Sequence, residues 1–223
     1  MSTSPVTGAS SLGTIAVLGA GRVGTAVARQ ALRAGYDVLI AASGDPADIE
    51  LIASIMAPGA RAVTAAEAAE GGDVVVLSIP LGKVTTLDPA TLDGKIVVDA
   101  MNFWAETDGT MPTLADADSS SHLVADTLPG ARLVKTLNHI GYHDLDTDHR
   151  PAGTPDRRAL AVAGDDAGAK VVVAGFIAAI GFDVVDAGPL VGGLALEPGT
   201  AVFTGVHTRA ELEDLLGVGV RVG

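Results

Sequence analysis

The chain of 223 residues contains no cysteine, which excludes a disulfide framework, a thiolate nucleophile and thiolate metal sites. Aromatic residues are few, with one Trp, two Tyr and four Phe, so the core must be built from Ala, Val, Leu and Ile. Positive charge is scarce as well. The 14 Lys and Arg residues face 27 Asp and Glu, a formal net charge of −13. A surface of that sign repels phosphate backbones, so no nucleic-acid partner is expected. Any anionic ligand must be held locally, by backbone N–H groups or one of the few basic side chains. Long apolar runs are missing too. The longest, Val171 to Phe182, falls short of the roughly 20 residues needed to cross a bilayer, so no membrane partner is expected. Met1 to Ser11 is rich in Ser and Thr, with neither a basic region nor an apolar signal core. Residues 1–12 therefore read as a flexible leader, and the protein as cytoplasmic.

Apolar residues make up 48% of the chain and glycine contributes 28 residues. Short Val/Ile/Leu runs alternate with Ala-rich helical stretches. Strands are expected at Thr14 to Gly19, Tyr36 to Ala42, Ala62 to Thr64, Asp73 to Ile79 and Lys95 to Ala100. Arg132 to Leu137, Ala159 to Ala163 and Phe182 to Asp186 continue the series. Helices are expected at Arg22 to Ala34, Pro46 to Met56, Ala65 to Ala69, Ser119 to Leu128, Ala167 to Ile180 and Thr208 to Leu216, with Thr208 as a cap. Unbroken apolar runs mark strands buried on both faces, the pattern of a parallel sheet covered by helices. The expected fold is α/β, a doubly wound, mostly parallel Rossmann sheet with a small C-terminal α/β appendage. Polar Asp144 to Asp156, with Pro151 and Pro155, reads as an exposed loop.

Gly19-Ala20-Gly21-Arg22-Val23-Gly24 matches G-x-G-x-x-G, and it ends the first strand and opens the first helix as a dinucleotide site requires. Gly19 permits the tight turn, Gly21 lets a pyrophosphate approach, and Gly24 allows close helix–sheet packing. The helix N-terminus offers free N–H groups and its positive dipole end to the phosphates. At the tip of the second strand a carboxylate would select NAD. Here Ala42 and Ser43 stand there, which points to NADP with Ser43 donating to the 2′-phosphate; the other reading of Ser43 is a turn or helix-cap residue. No Ser-His-Asp set and no carboxylate pair is evident, which suits direct hydride transfer, where neither nucleophile nor metal is needed. His139, His143 and His149 stand among Asp144, Asp146 and Asp148. A helix over 139–143 would put two imidazoles on one face for a metal. Gly141 interrupts such a helix, and no metal site is expected. Phe103 and Trp104 could cover a planar ring or anchor a loop. Lys135 and His139 could attract an acidic tail on a second substrate.

The chain resembles the deazaflavin-dependent NADP oxidoreductases, which pass a hydride between NADP and coenzyme F420. The resemblance rests on the glycine fingerprint, Leu77-Ser78-Ile79-Pro80, Val98-Asp-Ala-Met-Asn102, Leu133-Val-Lys-Thr-Leu-Asn138, Ala161-Val-Ala-Gly-Asp165, and Gly181 to Leu190. It implies an N-terminal NADP-binding Rossmann domain over 13–150 and a small part over 151–223 that closes the cleft. It implies that Ser78, Ile79 and Pro80 flank the cofactor, and that Ala100, Met101 and Asn102 lie beside the nicotinamide. By the same likeness Asn138 and His139 contact the deazaflavin ring, Leu190 belongs to the far wall, and the protein is a homodimer with a small-molecule redox substrate. Many members carry Ser-Arg after the second strand, where this chain has Ser43-Gly44. A non-catalytic NADP(H)-sensing module, or a reductase of a flavin or small carbonyl compound, would share the fingerprint.

Overall fold

A computed structural model of the chain describes residues 13–111, 114 and 119–218; the expected leader lies outside them. Six strands form a parallel sheet: β1 (Thr14–Leu18), β2 (Asp37–Ala41), β3 (Arg61–Ala62), β4 (Val74–Leu77), β5 (Ile96–Asp99) and β6 (Arg132–Lys135). Their order is β3-β2-β1-β4-β5-β6, the doubly wound Rossmann arrangement, which opens a crevice where the order reverses beside β1.

The strand centres are apolar because each face has its own cover. Val17, Ile40, Val76, Val98 and Val134 point to the side where α1 (Arg22–Ala34) and α7 (Ala167–Ala179) supply Val27, Val173 and Phe176. The alternate residues Ala16, Leu39, Val75, Val97 and Leu133 face α3 (Ala65–Gly71) and α5 (Ser120–Thr127), which contribute Ala68, Leu123 and Val124. The period of two along a strand thus divides one apolar run between two cores. α2 (Ala47–Met56) and the short α4 (Ala105–Asp108) complete this half.

A second, two-stranded parallel sheet pairs β7 (Ala159–Val162) with β8 (Asp183–Asp186). It is tied across the end of β6 by two antiparallel bonds, Lys135 N–H to Ala163 O at 2.8 Å and Ala163 N–H to Lys135 O at 3.0 Å. α8 (Arg209–Leu216) packs Leu212 on this sheet, starting from Thr208, whose side chain accepts from Glu211 N–H in a capping box.

The expected loop over Asp144 to Asp156 is corrected at its start, where α6 (Tyr142–Thr147) lies against α1. Leu145 is fully buried. The aspartates that suggest solvent are paired: Asp146 with Arg29 and Gln30, Asp144 and Asp148 with Arg158. α6 begins after Gly141, so His139 and His143 share no helix. Among the described residues no group of three His, Asp or Glu side chains gathers as a metal site, and no helix is long and apolar enough to cross a membrane.

Candidate functional site

The turn from β1 into α1 is shaped by its glycines. Gly19 has φ of +126°, and a Cβ there would lie 2.4 Å from the Ser78 carbonyl oxygen. A Cβ on Gly24 would lie 1.8 Å from the Gly19 carbonyl oxygen, so helix and strand approach closer than any side chain permits. Ser78 Oγ donates to the Gly19 and Leu18 carbonyls at 3.1 and 3.3 Å, fixing the β4 end against the turn. Gly21 differs from both. A Cβ there would meet nothing within 4 Å, and as the N-cap of α1 it provides no side chain to occupy the helix end. The first turn of α1 also carries no acidic residue. Open space over Gly21, at the positive end of a 13-residue helix, fits a dinucleotide pyrophosphate.

From this turn a cavity of about 720 Å³ runs over the carboxyl ends of β4, β5 and β6. Arg22, Val23, Ser78, Ile79, Pro80, Ala100, Met101, Asn102, Asn138 and His139 all line it. Gly19, Ala20, Gly21 and Gly24 form the adjoining turn. Ser43 lies exposed in the bend after β2, outside the cavity lining. It does not cap α2, since Asp45 Oδ1 accepts the Ala47 N–H at 2.9 Å. Leu190 is not part of the lining: its side chain is buried in the core with Leu123 and Leu133. Its N–H donates to Asp165 Oδ1 at 2.9 Å, which holds the segment inward.

Beneath Met101 of the cavity lining lies a set of buried polar groups. Asp99 and Lys135, both fully buried, pair at 3.1 Å. Asp99 Oδ1 accepts from Met101 N–H at 3.0 Å, and Lys135 Nζ donates to Met101 O at 2.5 Å. Ser121 Oγ donates to Asp99 Oδ2 at 2.9 Å. Truncating either ion would leave the other uncompensated in the core, typically at a cost of about 3–5 kcal/mol. The expectation that Lys135 draws an acidic tail is corrected here, because its charge is spent inside the protein. Leu137, at φ +64°, turns the chain after β6 in a left-handed conformation uncommon for a branched residue.

Asn138 and His139 follow that turn. Asn138 Nδ2 donates to Asn102 Oδ1 and to Leu196 O at 3.0 and 2.6 Å. His139 Nε2 accepts the Ala161 N–H at 3.0 Å. Burial above all, then the positive charges of Arg158 and Lys135, pushes the His139 imidazole down to about 3. It is neutral at physiological pH, and both its nitrogens are engaged within the protein.

The outer wall comes from residues that the sequence left unmarked: Tyr142, Arg158, Phe203, Thr204, Gly205 and Val206. Arg158 is held by Asp144 and Asp148 at 3.3 and 2.7 Å. Arg22 sits 5.7 Å from the Tyr142 ring centroid, with Nη1 3.5 Å from the phenol oxygen. The adjacent aromatics divide their roles. Phe103 packs against the core, while Trp104, 49% exposed, meets Phe203 edge-on at 6.0 Å between centroids. Only the scarcity of aromatics in the sequence could have drawn attention to Tyr142 and Phe203.

A Rossmann sheet, a glycine turn open to a pyrophosphate and a cavity over the strand ends define a dinucleotide-binding protein. Comparison with known proteins gives the family. Residues 14–103 match the family model for the NADP oxidoreductase coenzyme F420-dependent family. A protein of Arthrobacter sp. FB24, provisionally named an F420 dependent NADP-reductase, is 31% identical over 79% of this chain and 85% of its own, with a TM-score of 0.64. A hypothetical protein of Sinorhizobium meliloti, SMa0349, is 28% identical over 89% of this chain and 96% of its own, with a TM-score of 0.76. Mycobacterium tuberculosis 3-hydroxyisobutyrate dehydrogenase shares the fold at 19% identity and a TM-score of 0.58, this chain spanning 57% of it. None of the curated proteins matches the sequence. The chain belongs to the F420-dependent NADP oxidoreductase family, and it is an NADP-dependent oxidoreductase.

Proposed function

We propose that this chain transfers a hydride between NADP(H) and coenzyme F420, the deazaflavin lying in the outer part of the cavity. The observation that carries the reading is the extent of the cavity. It begins at the glycine turn, where a pyrophosphate fits, and ends between Trp104, Tyr142 and Phe203, where a planar ring can be covered. In this reading the α1 N-terminus and Gly21 receive the pyrophosphate, and Ser43 meets the 2′-phosphate. Ser78 to Pro80 and Ala100 to Asn102 hold the nicotinamide end. Bound NADPH supplies the hydride.

The chain's own contribution is placement and exclusion of water. The Asp99–Lys135 pair fixes Met101 from below, and the Trp104–Phe203 contact narrows the mouth. Asn138 and His139 act through their neighbours rather than on the acceptor, because their polar atoms are already bonded within the protein. We read residues 13–150 as the NADP-binding domain and 151–223 as the part that closes the cleft, with Arg158 and Phe203 to Val206 as its contribution. We read the protein as a homodimer and as cytoplasmic; exposed apolar residues on α2 (Leu51, Ile52, Ile55) and on α7 (Val171, Val172) are available for contact between copies.

Steady-state oxidation of NADPH with coenzyme F420, FMN and small carbonyl compounds tests the proposal. The expected outcome is turnover with the deazaflavin well above the others. NADPH binding without oxidation by any acceptor would instead indicate a sensing module.

A further inference from the structure

His139 lies in the cavity wall yet turns neither ring nitrogen to the cavity. A chain of hydrogen bonds runs through it. Ala161 N–H donates to Nε2 at 3.0 Å, and Nδ1 lies 3.2 Å from Asn138 Oδ1. Asn138 Nδ2 donates to Leu196 O at 2.6 Å and to Asn102 Oδ1 at 3.0 Å, while Asn102 Nδ2 donates to Asn138 O at 2.7 Å. Three of these partners are backbone groups, whose polarity cannot change. The Ala161 N–H makes Nε2 an acceptor, so the neutral ring carries its proton on Nδ1 and gives it to Asn138 Oδ1. The Leu196 carbonyl makes the opposite edge of Asn138 the donor. The Asn138 backbone carbonyl accepts from Asn102 Nδ2 while the Asn138 side-chain amide donates to Asn102 Oδ1, and together they orient the Asn102 amide. No link can be reversed, and Asn102 is left with one N–H and one carbonyl lone pair. A primary carboxamide needs the complementary acceptor and donor.

We propose that His139 is a positioning residue, which fixes the Asn138 amide and through it presents Asn102 in one orientation to the carboxamide of the nicotinamide. The proposal rests on the reading that the nicotinamide end lies against residues 100–102; it is independent of the identity of the acceptor. The relay joins three places distant in sequence. β7 enters at Ala161, the 3-10 helix Leu190–Leu196 at its last residue, and the β5 end at Asn102. The second sheet thus bears on the cofactor site without touching it. The charged and titratable groups around His139 are Arg158 before β7, Lys135 on β6 and His207 before α8, all positive or neutral, with Asp144 of α6 held by Arg158. They oppose a proton on the ring and keep Nε2 an acceptor.

The first test needs no cofactor. Nitrogen NMR of the 15N-histidine-labelled protein should show one imidazole with protonated Nδ1 and bare Nε2, unchanged between about pH 8 and about pH 5, where an ordinary histidine takes up its proton. That signal should be absent from His139→Gln. The second test compares binding of NADP+ with that of 2′,5′-ADP, which lacks the nicotinamide. A Gln amide spans both partners much as the imidazole does, so His139→Gln should bind both ligands as the parent protein does. His139→Leu keeps neither bond and should lose on the order of tenfold in NADP+ affinity, the scale of a misplaced contact, with 2′,5′-ADP affinity unchanged. Asn138→Asp serves if the leucine variant does not fold. Its carboxylate would face the oxygens of Leu196 and Asn102, so NADP+ affinity should rise as pH falls and the carboxyl regains a proton to donate, in this variant alone. Equal losses for both ligands in His139→Leu would reduce His139 to a staple between β7 and the β6 loop and overturn the proposal. So would undiminished NADP+ affinity in that variant, a protonated Nε2, or a pH-independent Asn138→Asp. Failure of the parent protein to reduce a deazaflavin would leave these results standing and overturn only the acceptor assignment.

Discussion

Gly21 and Gly24 stand three residues apart in one fingerprint, and their surroundings assign them different work. Space is open around Gly21, whereas a Cβ on Gly24 would penetrate the Gly19 carbonyl. Gly21→Val should therefore abolish NADPH binding in calorimetry while thermal unfolding stays cooperative. Gly24→Ala should lower stability by about 1–3 kcal/mol or more, as overpacking does, seen as a lower Tm. Unchanged NADPH affinity in Gly21→Val would remove the pyrophosphate from this turn. At the tip of β2, Ser43→Asp should repel the 2′-phosphate and offer a carboxylate to a ribose diol. A shift of tenfold toward NADH corresponds to about 1.4 kcal/mol, a fair size for one charge-assisted contact. A parent protein that already prefers NADH would contradict the reading of Ser43. His139 also gives a pH dependence. Its folded pKa is depressed to about 3, below the ordinary value near 6.5 of the unfolded chain. Between those values the unfolded state binds a proton that the folded state refuses, so stability falls as pH drops through that window. His149, lowered by burial and by Arg33, adds to the same slope. Denaturant midpoints from about pH 7 to about pH 5 should fall less steeply in His139→Gln than in the parent protein. Equal slopes would mean that the imidazole is not buried neutral.

Elements with strong local signals were legible in the sequence. The run Arg22 to Ala34 forms α1 over the same residues. Six of the apolar runs lie in the parallel sheet they imply, while Ala159 to Ala163 and Phe182 to Asp186 pair in a separate parallel sheet. Most are shorter by one or two residues at the ends, and the third is shifted to Arg61–Ala62. Thr208 caps α8 with Glu211, and Thr208→Ala should cost about 1 kcal/mol of stability in chemical unfolding, the usual size of a lost N-cap. No measurable change would mean that the last helix is held by Leu212 alone. α6 was not legible. Its sequence, Tyr142 to Thr147, has no apolar stripe, and its charge partners are Arg29, 117 residues from Asp146, and Arg158, 14 residues from Asp144. The same limit applies to the site. Local spacing located the glycine turn, while the strand ends at 78–80 and 100–102 came only from the family resemblance. Neither could show that Leu190 faces the core, that Lys135 is neutralised by Asp99, or that Phe203 meets Trp104. Each of those facts depends on a tertiary partner.

Across the whole molecule, two sheets of unequal size are tied together by one antiparallel bridge at the end of β6. β7 joins the end of β6 through Lys135 and Ala163, which brings Arg158 and the 203–206 turn over the crevice of the main sheet. The net charge of −13 gives no general attraction for anions, so the local geometry of the glycine turn must do the binding. In the reaction we propose, hydride passes directly from NADPH to a deazaflavin within this cavity. Deuterium tracing tests it most directly. With NADPH deuterated at the transferring position of C4 and coenzyme F420 as acceptor, mass spectrometry should find one deuterium in each reduced deazaflavin formed, and none from deuterated solvent at that carbon. A reduced deazaflavin without the label, or labelled NADPH left intact beside unreacted F420, would contradict the account.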